Sequence, residues 1–196
     1  GMIGIALFVI MSDIGSGNRH QTIYNTMVMM ATAGAIGMVI TGDLFNMFVF
    51  LEITSIAGVV LAAIPRNGHE KGYNWRGAAV YAVVGGVASF LVLAGIGLLY
   101  GATSTLNIAQ IAQRVPDADT FVIGSAFLVM FIGLGIESEI FPLNGWAPEV
   151  YRGSRWGTNS LFSGVIGKAG LIALIRISLI ILQPGQENDI ILDILL

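Results

Sequence analysis

The chain has no cysteine among its 196 residues and little charge, with 11% of positions Asp, Glu, Lys or Arg, against roughly 25% in an ordinary soluble domain. The missing cysteine excludes disulfide frameworks, zinc ribbons and iron–sulfur ligation within this chain. The missing charge excludes a water-soluble globule, because 55% hydrophobic residues leave more apolar surface than a sphere can hide. The same figures exclude intrinsic disorder. A net charge of −3 without a basic run argues against a nucleic-acid partner. With a mean hydropathy of +0.82, what remains is a protein whose solvent is the lipid bilayer.

A helix needs about 20 mostly apolar residues to cross the hydrocarbon core. Five stretches meet that test, at residues 24–40, 44–64, 77–100, 121–141 and 158–182. The expected fold is therefore an all-α polytopic membrane protein, one transmembrane helical unit over residues 1–196 with its five spans between 24 and 182. Only Thr41-Gly42-Asp43 separates the first two spans, which predicts a tight hairpin. Residues 2–11 are apolar but too short to span, and they lack the basic region and cleavage site of a signal peptide. They are expected to form a short helix, the tail of a preceding one, which suggests a fragment or a shortened relative of something longer. Residues 103–113 (TSTLNIAQIAQ) have the pattern of a short amphipathic helix.

Basic residues in the connecting loops orient the spans. With residues 12–23, 65–76 and 142–157 cytoplasmic, that side carries Arg19, Arg66, Lys71, Arg76, Arg152 and Arg155, and the other carries only Arg114. An inner cell membrane is the expected location. Tyr73, Trp75, Tyr81, Tyr151 and Trp156 fall at the same edge, as an interfacial aromatic belt would. Gly34 and Gly37, Gly97 and Gly101, and Gly164, Gly167 and Gly170 recur at three- or four-residue spacing. That spacing predicts close helix packing rather than a ligand loop.

Ionisable groups inside spans are expensive, at least about 2.5–3.5 kcal/mol at mid-bilayer, and are functional candidates by default. Glu52 lies mid-way along the second span, Glu137 and Glu139 near the end of the fourth, and Lys168 near the middle of the fifth. On a regular helix Glu137 and Glu139 point about 200° apart, so sharing a pocket requires a deformed helix. Pro142 supplies a reason for one, since it removes a backbone donor and clashes with the preceding turn. Residues 141–148 (FPLNGWAP) then put irregular backbone near membrane depth, which is tolerated only inside protein or beside water, and a broken helix bearing carboxylates is a recurrent ion-site design. The plainer alternative makes Glu52 and Lys168 a static pair that fixes helix register. Arg176 is expected to snorkel and Asp43 to cap or hydrate at the hairpin tip.

These residues resemble a family. Residues 41–52 (TGDLFNMFVFLE) are similar to its aspartate-leucine-phenylalanine … glutamate helix, and residues 137–149 (ESEIFPLNGWAPE) to its broken helix, usually K-x-x-x-x-P-L-H-x-W-L-P-D. Gly167-Lys168-Ala169-Gly170 through Arg176 is similar to the lysine-bearing helix that follows. The family is the antiporter-like membrane subunit shared by respiratory complex I, energy-converting membrane-bound hydrogenases and Mrp-type multisubunit cation/proton antiporters. Its full-length members have about fourteen spans with two inverted five-helix repeats, and the resemblance covers the first repeat.

The resemblance implies a proton-translocating or Na+/H+-exchanging subunit of a redox-driven assembly, such as a membrane-bound hydrogenase or an NADH dehydrogenase. It implies other membrane-arm subunits as partners and H+, or Na+, as the ion. It makes Glu52 the glutamate that modulates a basic partner and Lys168 the lysine of a central hydrophilic axis. Glu137 departs from the pattern by standing at the usual lysine position, Asn144 replaces the histidine and Glu149 the aspartate. A Glu–Lys pair thus becomes a Glu–Glu pair, suited to proton storage and equally open to a hard cation. Two alternatives stay open: a structural membrane-arm subunit, and a subunit of a multisubunit cation/proton antiporter. No nucleophile–base constellation, metal-ligand cluster or cofactor fingerprint occurs, so catalysis, metal and cofactor are expected to belong to other chains.

Overall fold

A computed structural model describes residues 1–11, 19–64 and 74–181. Arg66, Lys71, Tyr73 and His69 lie outside the described residues, as does most of the loop expected at 12–23. Within the described residues the chain is helical: α1 (Met2–Met11), α2 (Arg19–Ile40), α3 (Leu44–Ala63), α4 (Trp75–Thr103), α5 (Ile108–Arg114), α6 (Thr120–Glu137), α7 (Ala147–Gly153), α8 (Trp156–Leu161) and α9 (Gly167–Ile181). A π-helical segment, Phe162–Ile166, joins α8 to α9 into one span. Five helices are long and apolar enough to cross a membrane, at Gln21–Ile40, Leu44–Ala63, Trp75–Thr103, Thr120–Glu137 and Trp156–Ile181. The amphipathic helix expected at 103–113 starts later, at Ile108, because α4 continues to Thr103 and ends with Ser104 in the left-handed region at φ 52°.

Polar residues start these helices where the sequence changes character. Asp43 accepts from the Asn46 amide at 2.8 Å, Asn107 from Ala109 and Gln110, and Asp119 from Phe121 and Val122. Each cap occupies backbone donors that a helix start leaves open. Asp43 is thus the hairpin's cap. At the same end of the bundle the Leu44 amide donates to Leu106 O at 2.9 Å and the Ile108 amide to Gly42 O at 2.9 Å. Arg176 does not snorkel. Its guanidinium donates to Val39 O at 2.6 Å and Thr41 O at 2.7 Å, capping the last carbonyls of α2. Arg114 treats α4 likewise, donating to Thr103 O at 2.6 Å.

The spans pack in a ring: α2 on α3, α3 on α4, α4 on α6, α6 on α9, and α9 back on α2, with α1 lying across α2 and α8. Small residues set the closest approaches. A Cβ at Gly34 would stand 2.9 Å from Phe50 O, and one at Gly133 would stand 2.6 Å from Ala88 O. The close-packing expectation therefore holds for Gly34, Gly37, Gly164, Gly167 and Gly170, but not for Gly97 and Gly101, which face open space. On α4 and α6 the contact is made instead by Gly95 and Gly133. Helical spacing alone identifies a small-residue face without saying which neighbour, if any, covers it.

Gly133→Ala is expected to lower stability by about 1–3 kcal/mol, because the new methyl meets backbone that cannot rotate away. Gly97→Ala should leave stability unchanged or slightly raised, through helix propensity alone. Thermal unfolding of the two variants in detergent checks the contrast.

Candidate functional site

The site is built where α6 stops. The Ser138 amide still bonds Leu134 O at 2.8 Å, but the Glu139 amide turns to Ile136 O at 3.2 Å and the Ile140 amide to Gly135 O at 3.0 Å. Glu139 itself has φ 58°. This is a Schellman ending, whose left-handed position is usually filled by glycine, and holding a glutamate there costs about 1–2 kcal/mol. The break therefore precedes Pro142 rather than resulting from it. By the time the chain reaches Pro142, the carbonyl four residues back already belongs to the turn, and proline's part is to prevent the helix from resuming.

The broken segment returns into the bundle through Trp146, which is 4% exposed. Its indole N–H donates to Ile136 O at 3.1 Å, giving a carbonyl of α6's last turn a second donor. Its ring lies 4.8 Å from Tyr81 and 6.0 Å from Phe162, and Phe162 stands edge-on to Tyr81 at 4.9 Å. The return buries Trp146 and Ala147, while Phe141, Pro142 and Gly145 before them stay exposed. Pro148 follows in the first turn of α7, where a missing N–H costs nothing.

The four ionisable residues singled out in the sequence meet different fates. Glu137 is buried, 4% exposed. Ser55 of α3 donates to its Oε1 at 2.7 Å and Tyr81 of α4 donates to its Oε2 at 3.2 Å. Glu52 is half-buried and accepts from Ser89 of α4. Glu139 is half-buried and accepts from Tyr151 of α7 at 2.5 Å. Lys168 is exposed on α9. The four are thus not one buried set: Glu137 is inside, the other two acids are half-buried, and the lysine looks outward. The deformed helix does not let Glu137 and Glu139 share a pocket, since each has its own hydroxyl donors.

Glu52 and Glu137 nevertheless belong to one seam between α3, α4 and α6. Glu52 and Ser55 are one turn apart on α3, while Tyr81, Gly85 and Ser89 lie at four-residue spacing on α4, about 12 Å end to end. Gly85 lines the seam beside the carboxylate: a Cβ there would make ordinary van der Waals contact with Glu137 Oε1, at 3.5 Å. A static Glu52–Lys168 pair is not formed among the described residues. Glu149, at the family's aspartate position, pairs with Arg76 at 3.0 Å on the surface, a contact worth about 0–1 kcal/mol.

Sequence reasoning misses Ser55, Tyr81, Ser89 and Tyr151. The belt pattern covers Tyr81 and Tyr151, yet Tyr81 is 1% exposed and both hydroxyls are donated to carboxylates. Trp75 and Trp156 are exposed, as belt residues should be. The available signal is spacing: Ser55 shares a helix face with Glu52, and Tyr81 and Ser89 share one with Gly85. Among the described residues, no group of three or more His, Cys, Asp or Glu side chains is gathered as metal ligands would be.

Trp146→Phe keeps the ring contacts and removes only the donor to Ile136 O. Because Ile136 O keeps the Glu139 amide, the change is expected to cost about 0.5–1.5 kcal/mol, the net worth of one hydrogen bond, read as a lowered unfolding temperature in detergent.

Known proteins resemble this chain in sequence and fold. The family described as NADH:quinone oxidoreductase/Mrp antiporter, TM matches residues 41–195. NADH-quinone oxidoreductase subunit N of Desulforudis audaxviator is 36% identical over 164 residues, covering 83% of this chain and 32% of that protein. A Na(+)/H(+) antiporter subunit of Alkalihalophilus pseudofirmus is 30% identical over 194 residues, covering 97% of this chain and 38% of that protein. Among solved structures, a chain of the membrane-bound sulfane sulfur reductase, an archaeal respiratory membrane complex, superposes with a TM-score of 0.73 at 38% identity, covering 80% of this chain and 31% of that one. A chain of the Mrp complex from Dietzia sp. gives a TM-score of 0.72 at 33% identity, over 81% of this chain and 29% of that one. The chain spans about a third of the length of the curated relatives it matches. A buried carboxylate at a broken helix inside a five-span bundle and a match over most of the sequence lead to one assignment: this chain belongs to the NADH:quinone oxidoreductase/Mrp antiporter transmembrane family.

Proposed function

We propose that this chain is the first repeat of a proton-translocating, or Na+/H+-exchanging, membrane subunit in a redox-driven assembly related to complex I. The observation that carries the reading is Glu137, a carboxyl buried at a helix break and held by hydroxyls from two other spans. A carboxyl in that setting holds and releases a proton without dragging a permanent charge through lipid. In this reading Glu137 is the alternating proton site, and Glu52, one turn along the seam, sets the electrostatic cost of ionising it. Lys168 faces outward from α9 toward the next half-channel, with Glu139 between it and the break. Respiratory and antiporter relatives alike support ion translocation as the shared activity.

The partners are then other membrane-arm subunits and the surrounding lipid, and electron transfer belongs to other chains. Arg76, Arg152 and Arg155 belong to the end where α6 breaks, and Arg114 to the opposite end. That segregation supports a cytoplasmic position for the break and for loops 12–23, 65–76 and 142–157. A structural reading is favoured by one observation: the same two hydrogen bonds on Glu137 tie α3, α4 and α6 together.

Glu137→Gln separates the two readings. In membrane vesicles holding the assembled complex, it is expected to abolish H+ or Na+ flux while complex abundance stays near wild type. Unchanged flux per complex overturns the transport assignment, and reduced abundance with full flux per complex supports the structural reading.

A further inference from the structure

Tyr81 does more than fill the seam. Its hydroxyl donates to Glu137 Oε2 at 3.2 Å, while its ring touches the two irregular segments flanking the site. Trp146 from the broken segment lies at 4.8 Å, and Phe162, the first residue of the π-helical segment, at 4.9 Å. The third side is closed by α3, since a Cβ at Gly58 would stand 2.7 Å from Tyr81 Cε1 and 3.3 Å from Phe162 Cζ. Tyr81 is 1% exposed and Phe162 0%. The ring has no free direction in which to move.

The two hydroxyls on Glu137 answer a proton differently. Both donate to an ionised carboxylate, which only accepts; protonation adds a donor on one oxygen and removes the charge that shortens both bonds, so each hydroxyl must readjust. Ser55 does this cheaply, because a serine hydroxyl in a helix turns to the carbonyl four residues back. The tyrosine oxygen, by contrast, is fixed to its ring, so a change in the length of its hydrogen bond shifts the ring against Trp146 and Phe162. Six residues beyond Phe162, on the same span, stands Lys168.

We infer that Tyr81 is a positioning residue that links the protonation of Glu137 to the packing of the π-helical segment ahead of Lys168. The role rests on the reading of Glu137 as the proton site and adds the path by which that site is felt in α9. A π-helical segment suits the part of receiver on physical grounds, because its looser turn re-registers more easily than a regular helix and such segments are frequent at functional sites.

The test uses the assembled complex in membranes, with two readouts: the infrared C=O band of protonated Glu137, identified by its loss in E137Q, and amide hydrogen exchange across Phe162–Gly167. Introduced alone, E137Q is expected to change exchange there. Y81F should move the C=O band to higher wavenumber and make exchange at 162–167 insensitive to E137Q. S55A should move the band but leave the coupled exchange response intact, since Ser55 bonds the carboxyl on its other oxygen. If Y81F does not assemble, F162L keeps the tyrosine hydroxyl and should retain the band while losing the coupled response. Exchange at 162–167 that ignores E137Q introduced alone, or that still follows it in Y81F or F162L, overturns the inference. Flux through E137Q judges the transport reading separately, so the two can fail independently.

Discussion

Much of what is polar in this bundle is arranged around the carbonyls that α6 leaves open when it stops at Glu137. A helix end in water hands such groups to solvent; in hydrocarbon each one left alone costs several kcal/mol. Here the Schellman turn takes two of them with the amides of Glu139 and Ile140, and Trp146 folds back to give Ile136 O a further donor. Satisfying the helix end draws Trp146 inward, and Trp146 in turn gives Tyr81 and Phe162 a surface to pack on.

The acids follow the same economy. Each of the three carboxylates is met by a hydroxyl on a different helix: Glu52 by Ser89, Glu137 by Ser55 and Tyr81, Glu139 by Tyr151. None of the three is matched by a direct ion pair among the described residues. Hydroxyls both donate and accept, so a seam built from them tolerates a proton arriving or leaving. A rigid salt bridge would not, because removing either charge strands the other. The chemistry of the partners thus suits a site that changes charge state better than one meant to hold a fixed charge.

How much of this is legible in the sequence depends on the length scale of the physics. Membrane spans are a property of about 20 residues at a time, and composition alone places all five to within a few residues. Glu52, Glu137 and Lys168 stand out because an ionisable group among apolar neighbours is rare. What is not legible is tertiary. Tyr81 and Tyr151 sit where interfacial tyrosines sit, and only the return of the broken segment turns their hydroxyls inward. Pro142 is the conspicuous helix breaker, yet the break is made earlier, by a backbone turn with glutamate in the position where glycine is the usual signal. Gly97 and Gly101 have the spacing of a packing face, yet Gly95 and Gly133 make the contact, because pairing is decided by which face meets which neighbour.

The glutamate at the position where the resemblance expects a lysine gains a physical explanation from the same partners. A lysine there needs acceptors and a carboxylate needs donors; Ser55 and Tyr81 hydroxyls serve as either by turning a hydrogen. Gly85 leaves space beside the group without adding a charge of its own. The exchange of a cation for an acid therefore asks little of the surrounding packing, while it inverts the state in which the site is neutral: a lysine is neutral when it has given up its proton, a glutamate when it has taken one. With Glu52 on the same seam, the uncharged form of Glu137 is also the one that removes a like-charge neighbour. The substitution keeps a proton-binding group at the break and reverses the charge it carries when empty, so any coupling to Lys168 across the π-helical segment must run on a carboxyl's hydrogen bonds rather than on an ammonium's charge.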